Sequence, residues 1–414
     1  MAESSVGGSA VRGAAPALFA VSRSAGVRAG LALLVTGGIV AGAYALHDTA
    51  GYGARASFSL LIGAALGLVF AGGRFCFFCI LRDFIEDRNS RGMFAILAAL
   101  GAGGIGYAVV FGAFLPNPMS GRLPPDAHIG PVSGVLVAAG IAFGVGMALS
   151  GACISGHLYR LGEGSVRAPF ALLGALVGFG AGFFTWQSVY LGAISGAPVA
   201  WLPATLGYGG SLALSLGVLT VLGLLLLRFL PGQAAADTPA HDRLTLNKLY
   251  SLVFYQRWNP LVTGALVGVI GMFAYFRVEP LGVTSQLGSI SRTALDNAGL
   301  LAGRLNGLDG FAGCATVVAQ AITENGWLIG GLALGSLALS LLANRFQPTR
   351  PTISGSLTAL AGGTLMGWGA MLALGCTVGT LLSGISAFAV SGWVFGGAVF
   401  AGVWLGIRLG LHRL

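Results

Sequence analysis

The residues most able to do chemistry in this chain are five cysteines, Cys76, Cys79, Cys153, Cys314 and Cys376. Two of them share a setting. Gly144-Val-Gly-Met-Ala-Leu-Ser-Gly-Ala-Cys153-Ile-Ser-Gly156 is matched by Gly367-Trp-Gly-Ala-Met-Leu-Ala-Leu-Gly-Cys376-Thr-Val-Gly379, with Gly144, Gly146, Cys153 and Gly156 falling on Gly367, Gly369, Cys376 and Gly379. In each copy an apolar run enters glycine-rich chain, and glycine costs roughly 1 kcal/mol against alanine inside a helix. Two matched clusters predict that the helix breaks there and presents the cysteine at a helix end, with Gly151, Gly156, Gly375 and Gly379 at the break. A third element, Gly73-Arg-Phe-Cys76-Phe-Phe-Cys79-Ile-Leu-Arg82-Asp83, follows another apolar run. Three chemistries are open to these thiols. A neutral thiol is a weak hydrogen-bond donor that suits a soft sulfur acceptor. The Cys76-x-x-Cys79 spacing is that of a redox pair. Cys76, Cys79 and His157 have the types for a shared metal, but no fourth ligand is evident.

What must position these residues is a membrane protein. Of 414 residues 55% are hydrophobic, only 8% are charged and 70 are glycine, and the mean hydropathy is +0.85. A bilayer crossing needs roughly 20 apolar residues. Such stretches are predicted near 27–46, 57–73, 92–115, 131–150, 166–190, 209–230, 258–276, 326–343, 353–373 and 392–411. A β-barrel would instead show short alternating segments. The net charge of +9 rests almost wholly on arginines spread between the apolar runs. That pattern speaks against nucleic-acid binding and for an orientation signal and anion attraction.

The arginines cluster in alternate connections: Arg74, Arg82, Arg88 and Arg91, then Arg160 and Arg167, then Arg243, Lys248 and Arg257, then Arg345 and Arg350. By the positive-inside rule both termini are cytoplasmic. The runs that end at Cys153 and Cys376 then cross in opposite directions, as do the weaker matches Gly63-Ala-Ala-Leu-Gly67 and Gly264-Ala-Leu-Val-Gly268. Inverted repeats of this kind underlie many secondary transporters, with broken helices lining the midplane site. Irregular backbone is tolerated at membrane depth only inside protein or along a polar path. The expected fold is thus an all-α polytopic membrane protein of about ten spans, an inverted-topology repeat with broken helices or short re-entrant segments at the cysteines. Its expected divisions are a disordered tail (1–26), an extra span and loop (27–56), the first repeat (57–230), a cytoplasmic linker (231–256) and the second repeat (257–414).

The second half is longer, and its surplus, 279–325, is semi-polar and holds Arg292, Arg304, Asp309 and Cys314. It is expected as short helices dipping into the protein from outside, with an exposed loop as the alternative. A buried Asp309 could accept a co-transported proton. His157 and Glu163 are expected on a solvated turn. Arg74 and Arg82 read as topology arginines paired with Asp83 and Glu86, or as residues that gather an anion at the mouth. Cysteines this few, among apolar residues, are expected as free thiols. No phosphate loop, nucleotide fingerprint or hydrolase triad is present, so ATP-driven transport by this chain alone is not expected, nor is a cofactor.

The string Arg74-Phe-Cys76-Phe…Arg82-Asp83, followed by a glycine-flanked cysteine in each half, resembles the YeeE/YedE membrane proteins, whose studied members take up thiosulfate. The likeness runs from about residue 57 to residue 411. It implies that three cysteines line a narrow path and hand the substrate on by weak S–H contacts, here Cys76, Cys153 and Cys376. It also makes a small cytoplasmic TusA-like sulfurtransferase a partner. The longer second half with Cys314, and Cys79 where a small residue is expected, depart from the pattern. The physics agrees with such a role. A dianion cannot enter hydrocarbon unaided, and fixed cations would hold it too tightly to release. Protonated thiols at helix N-termini offer weaker, more numerous contacts. The expected function is a monomeric inner-membrane permease for thiosulfate or a related small sulfur-containing ion. A membrane thiol-disulfide oxidoreductase using Cys76 and Cys79, and a membrane subunit of a sulfur-relay system, are the alternatives.

Overall fold

The computed structural model describes residues 23–230, 250, 254–301, 305–308, 317–348 and 351–414. The chain is helical: α1 (Arg23–Asp48), α2 (Gly53–Gly73), α3 (Phe77–Asp87), α4 (Met93–Phe114), α5 (Gly134–Ser150), α6 (Ile154–Gly162), α7 (Arg167–Val189), α8 (Pro203–Leu227), α9 (Pro260–Arg277), α10 (Ser285–Asn297), α11 (Glu324–Leu342), α12 (Ile353–Leu372), α13 (Thr377–Ser386) and α14 (Val390–Arg408). Among the described residues nine helices are long and apolar enough to cross a membrane, and α12 with α13, bent by 43° at a short break, make a tenth. The protein is a multi-pass membrane protein. Each predicted span has a helix on it, and the starts carry ordinary signals. Ser133, Asn259, Thr323 and Thr352 cap α5, α9, α11 and α12 through their side-chain oxygens, and Pro203 and Pro260 open α8 and α9.

Packing rests on small residues, since lipid tails leave no hydrophobic drive between helices and close contact must supply the attraction. A Cβ on Gly63 would collide with the Leu328 carbonyl and one on Gly67 with that of Leu332, so α2 and α11 touch backbone to backbone and run in the same direction. The same relation recurs between α4 and α9, where Gly264 meets Ala95 and Gly268 meets Ala99. It recurs again between α7 and α12, where Gly363 meets Ala171 and Gly367 meets Ala175, and between α5 and α14, where Gly140 meets Phe395 and Gly144 meets Val399. Each pair joins a helix before the 231–256 linker to one after it.

One contact runs the other way. On α5 and α12 a Cβ at Gly146 would stand 2.6 Å from the Gly362 oxygen, and one at Gly362 would stand 2.6 Å from the Gly146 oxygen. One turn or two further along, Gly369 lies equally close, 2.6 Å, to the Ala139 oxygen. As residue numbers rise on α5 they fall on α12, so the two cysteine-bearing runs are antiparallel. The outer faces, such as Leu33 and Leu34 of α1 and Val177 of α7, are exposed and apolar, as lipid contact requires.

Candidate functional site

The three cysteines on the matched and resembling motifs occupy the same local structure. Cys76 caps α3, Cys153 caps α6 and Cys376 caps α13, each in extended conformation. In each case the residue two places earlier is left-handed: Arg74 at φ 52°, Gly151 at φ 85° and Leu374 at φ 55°. That residue stops one helix, and the cysteine opens the next. Glycine takes the conformation freely, whereas Arg74 and Leu374 adopt it at a cost. The breaks predicted from glycine clustering are therefore present, and they deliver each thiol to a helix N-terminus, where free N–H groups carry partial positive charge.

All three thiols are buried, with 0%, 0% and 1% exposure for Cys76, Cys153 and Cys376. The Sγ atoms of Cys76 and Cys153 are 3.8 Å apart. Only a glycine fits beside them, because a Cβ at Gly156 would lie 2.8 Å from Cys76 Sγ and 3.3 Å from Cys153 Sγ. The Gly156 amide instead donates to Cys153 Sγ at 3.3 Å, and the Ser155 hydroxyl lies 3.2 Å from the same sulfur. Arg160, at the far end of α6, reaches back. Its guanidinium donates to the Gly151 carbonyl at 3.1 Å and to Cys79 Sγ at 2.9 Å, tying the break before Cys153 to α3.

Cys79 is half-buried and borders a cavity of about 490 Å³ lined by Arg74, Arg82, Arg160, Arg257 and Arg345, with Asp83 and Glu163 as its acids. A second cavity of about 790 Å³ shares Cys79, Asp83 and Arg257. Burial pushes the Glu163 carboxyl above its ordinary pKa, while Arg160, Arg74 and Arg345 pull it down. The cavity thus carries a surplus of positive charge beside the buried sulfur pair.

Thr380 of α13 donates to the Ala373 carbonyl at 3.2 Å and Ser383 to the Leu281 carbonyl at 2.8 Å. A cavity of only about 10 Å³, lined by His128, Ser133, Thr380 and Ser391 among others, adjoins residues 372–374. Leu281 belongs to a strap that begins at Glu279, whose carboxyl is pushed up to about 7, chiefly by burial and next by the charge of Glu324, with Asp126 adding and Arg55 and Asn325 opposing. Between the unfolded value, about 4.3, and about 7 the folded state holds a proton that the unfolded state has released. Stability therefore falls as pH rises through that window. The melting temperature of the wild type is expected to drop between pH 5 and pH 8, by several degrees on the order of the linkage effect, and Glu279→Gln to flatten that slope. A slope unchanged by the substitution would show that this carboxyl is not the source.

The structure corrects some sequence expectations. His157 is not on a solvated turn but 2% exposed in α6, and neither ring nitrogen has a hydrogen-bond partner. Glu163 lines the arginine cavity. Arg82 does pair with Asp83, at 2.8 Å, but Glu86 pairs with His412 and Arg413. Arg74 and Arg82 both reach the cavity. In the surplus of the second half, α10 buries Gln286, Leu287 and Ser289 at its start, whereas residues 296–300 are exposed. Asp309 and Cys314 lie outside the described residues, as do most of the tail and the linker. Among the described residues no three His, Cys, Asp or Glu side chains converge as for a metal. Sequence reasoning missed Arg160 as a site residue. Its spacing of seven from Cys153, two helical turns on one face, was the available signal.

Comparison with known proteins follows the same outline. The profile of the sulphur transport family matches residues 72–405. Thiosulfate transporter TsuA of Escherichia coli K12 is 29% identical over 363 residues, covering 83% of this chain and 92% of that protein. Thiosulfate transporter TsuA of Spirochaeta thermophila is 26% identical over 348 residues, covering 81% and 93%. A shorter match, 35% over 88 residues and 21% of this chain, is to the probable transporter YedE of Salmonella typhimurium. With the family profile spanning most of the chain and both cysteine-bearing halves, the protein belongs to the sulphur transport family.

Proposed function

We propose that the protein is a permease, not an enzyme, that brings thiosulfate or a related small sulfur-containing anion into a bacterial cell across the cytoplasmic membrane. Cys376, Cys153 and Cys76 are its successive stations, with Gly151, Gly156, Gly375 and Gly379 shaping the backbone around them. The observation that carries this reading is the buried Cys76–Cys153 pair, 3.8 Å apart, each residue at the N-cap position of a helix that starts inside the protein. Two thiols so placed offer a soft sulfur two weak donors and partial positive charge, with the Arg160 guanidinium already engaged by the Gly151 carbonyl and Cys79. The arginine cavity beyond Cys79 takes the released anion, with Arg74 and Arg82 in its wall. Names of the relatives, transporters of thiosulfate over nearly their full length, support the substrate.

In this reading the arginine-rich end and both termini face the cytoplasm, and residues 57–230 and 257–414 are the two inverted repeats. The chain acts as a monomer, and a small TusA-like sulfurtransferase is the partner that would collect sulfur at the cavity. The test is uptake of radiolabelled thiosulfate by a sulfur-starved host that lacks its own uptake systems. Cells with the protein should accumulate label and grow on thiosulfate as sole sulfur source, and cells without it should not. Equal growth of the two would overturn the reading.

A further inference from the structure

Among the described residues, His157 is a buried polar group that the sulfur path leaves unexplained. It is 2% exposed, and neither Nδ1 nor Nε2 has a hydrogen-bond partner. Buried side-chain nitrogens are nearly always partnered, because one without a partner forfeits its hydration with nothing in return. An imidazole has two such atoms, one donor and one acceptor in its neutral form. A group left open on both sides points to a partner that comes and goes.

Its position says which partner. Cys153, His157 and Arg160 are spaced by four and three along α6, so they share one face. Gly156, beside them, is the residue against which Cys76 Sγ and Cys153 Sγ pack. The other face is occupied by α11, where Ser336 donates to the Tyr159 carbonyl at 2.6 Å and Ser340 to that of Gly162 at 2.7 Å. His157 therefore follows the sulfur pair by one turn and precedes Arg160, which opens on the arginine cavity. The face of α6 that carries Cys153 and Arg160 thus carries His157 between them.

We propose that His157 binds the oxyanion end of the substrate, its N–H donating to a sulfonate oxygen while Cys153 and Cys76 hold the terminal sulfur. This inference rests on the permease reading and adds a specificity residue to it. The division of labour follows from chemistry. A ring N–H is a stronger donor than a thiol and suits a hard oxygen, whereas the thiols suit the soft sulfur. A sulfur anion without oxygens gains nothing from His157.

The experiment uses purified protein in vesicles and three chains: wild type, His157→Phe, which keeps a ring but no donor, and His157→Gln, which keeps a donor. Loss of one hydrogen bond to a charged group is expected to raise the thiosulfate KM about tenfold to a hundredfold in the phenylalanine variant. The maximal rate should change far less, and glutamine should restore most of the affinity. Melting temperatures are recorded for all three. A folded phenylalanine variant with the wild-type KM, or glutamine as impaired as phenylalanine at equal stability, would overturn the inference. If the phenylalanine variant does not fold, wild-type protein carrying 15N-labelled histidine decides. Thiosulfate should move one imidazole signal that is missing in His157→Gln, and an unmoved signal sinks the proposal. Wild-type vesicles that take up no thiosulfate would instead sink the permease reading, and the same signal would still report whether the anion binds.

Discussion

Cys153→Ser is expected to reduce thiosulfate uptake to below roughly a tenth of the wild-type rate, the loss expected when one site of a serial path is removed, while the protein folds normally. The serine matters more than an alanine would. Cys153 caps α6 by accepting from the Gly156 amide at 3.3 Å, and serine is a good N-cap that can accept the same bond. The helix therefore survives the change, and what is lost is the soft sulfur 3.8 Å from Cys76. Cys153→Ala removes cap and sulfur together and should add a stability loss of about 1 kcal/mol. The same substitutions at Cys376 and Cys76 should also end uptake, whereas Cys79→Ala should be milder because Cys79 sits one turn inside α3 and not at a cap. Uptake assayed in vesicles with the amount of inserted protein held equal checks the series. Persistent uptake in a Cys153→Ser, Cys376→Ser double variant would rule out a path through these thiols.

The second large effect lies on the seam between α5 and α12. Gly146→Val places a branched side chain where even a Cβ would be 2.6 Å from the Gly362 oxygen and 2.9 Å from the Met366 nitrogen. Both are backbone atoms of a packed helix and cannot rotate aside. Overpacking of this sort costs 1–3 kcal/mol or more at an ordinary core site, as an order of magnitude. Here it also separates the helices on which Cys153 and Cys376 depend. The expected result is little or no folded protein in the membrane, read by size-exclusion profile and melting temperature. Gly217→Ala is the control. Nothing lies within 4 Å of that Cβ position on α8, and alanine favours the helix by up to about 1 kcal/mol. A Gly146→Val protein that folds and melts like the wild type would show that the seam is loosely packed.

Much of this was legible in the chain because membrane spans leave long signals. The ten apolar stretches, the repeated Gly144–Gly156 and Gly367–Gly379 segments and the arginine clusters each survive without a structure, and the antiparallel course of α5 and α12 follows from them. Other parts were not. Arg74 and Leu374 hold the left-handed conformation that Gly151 takes easily, and nothing in an arginine or a leucine announces that. Polar residues after a span ordinarily sit on a solvated turn, and nothing local marks His157 and Glu163 as different. Here the chain folds back as α6 and packs on α11, so tertiary burial overrides local polarity. Arg160 was counted as an orientation charge for the same reason.

The glycine seam also limits how the molecule can move. Between α5 and α12, carbonyl oxygens of one helix lie against glycine Cα positions of the other, with only the Cβ atoms of residues such as Ser150, Phe143 and Leu365 beside them. Sliding one half past the other would drive backbone into backbone, and packed interfaces without slack switch between discrete arrangements or not at all. The seam is a fixed axle. Whatever opens and shuts during a transport cycle is expected in the short pieces that follow the long helices, α6 and α13 on the seam and α3 after α2, each held by one left-handed joint just before its cysteine. Substrate turnover is then expected to leave the distances between the long helices unchanged.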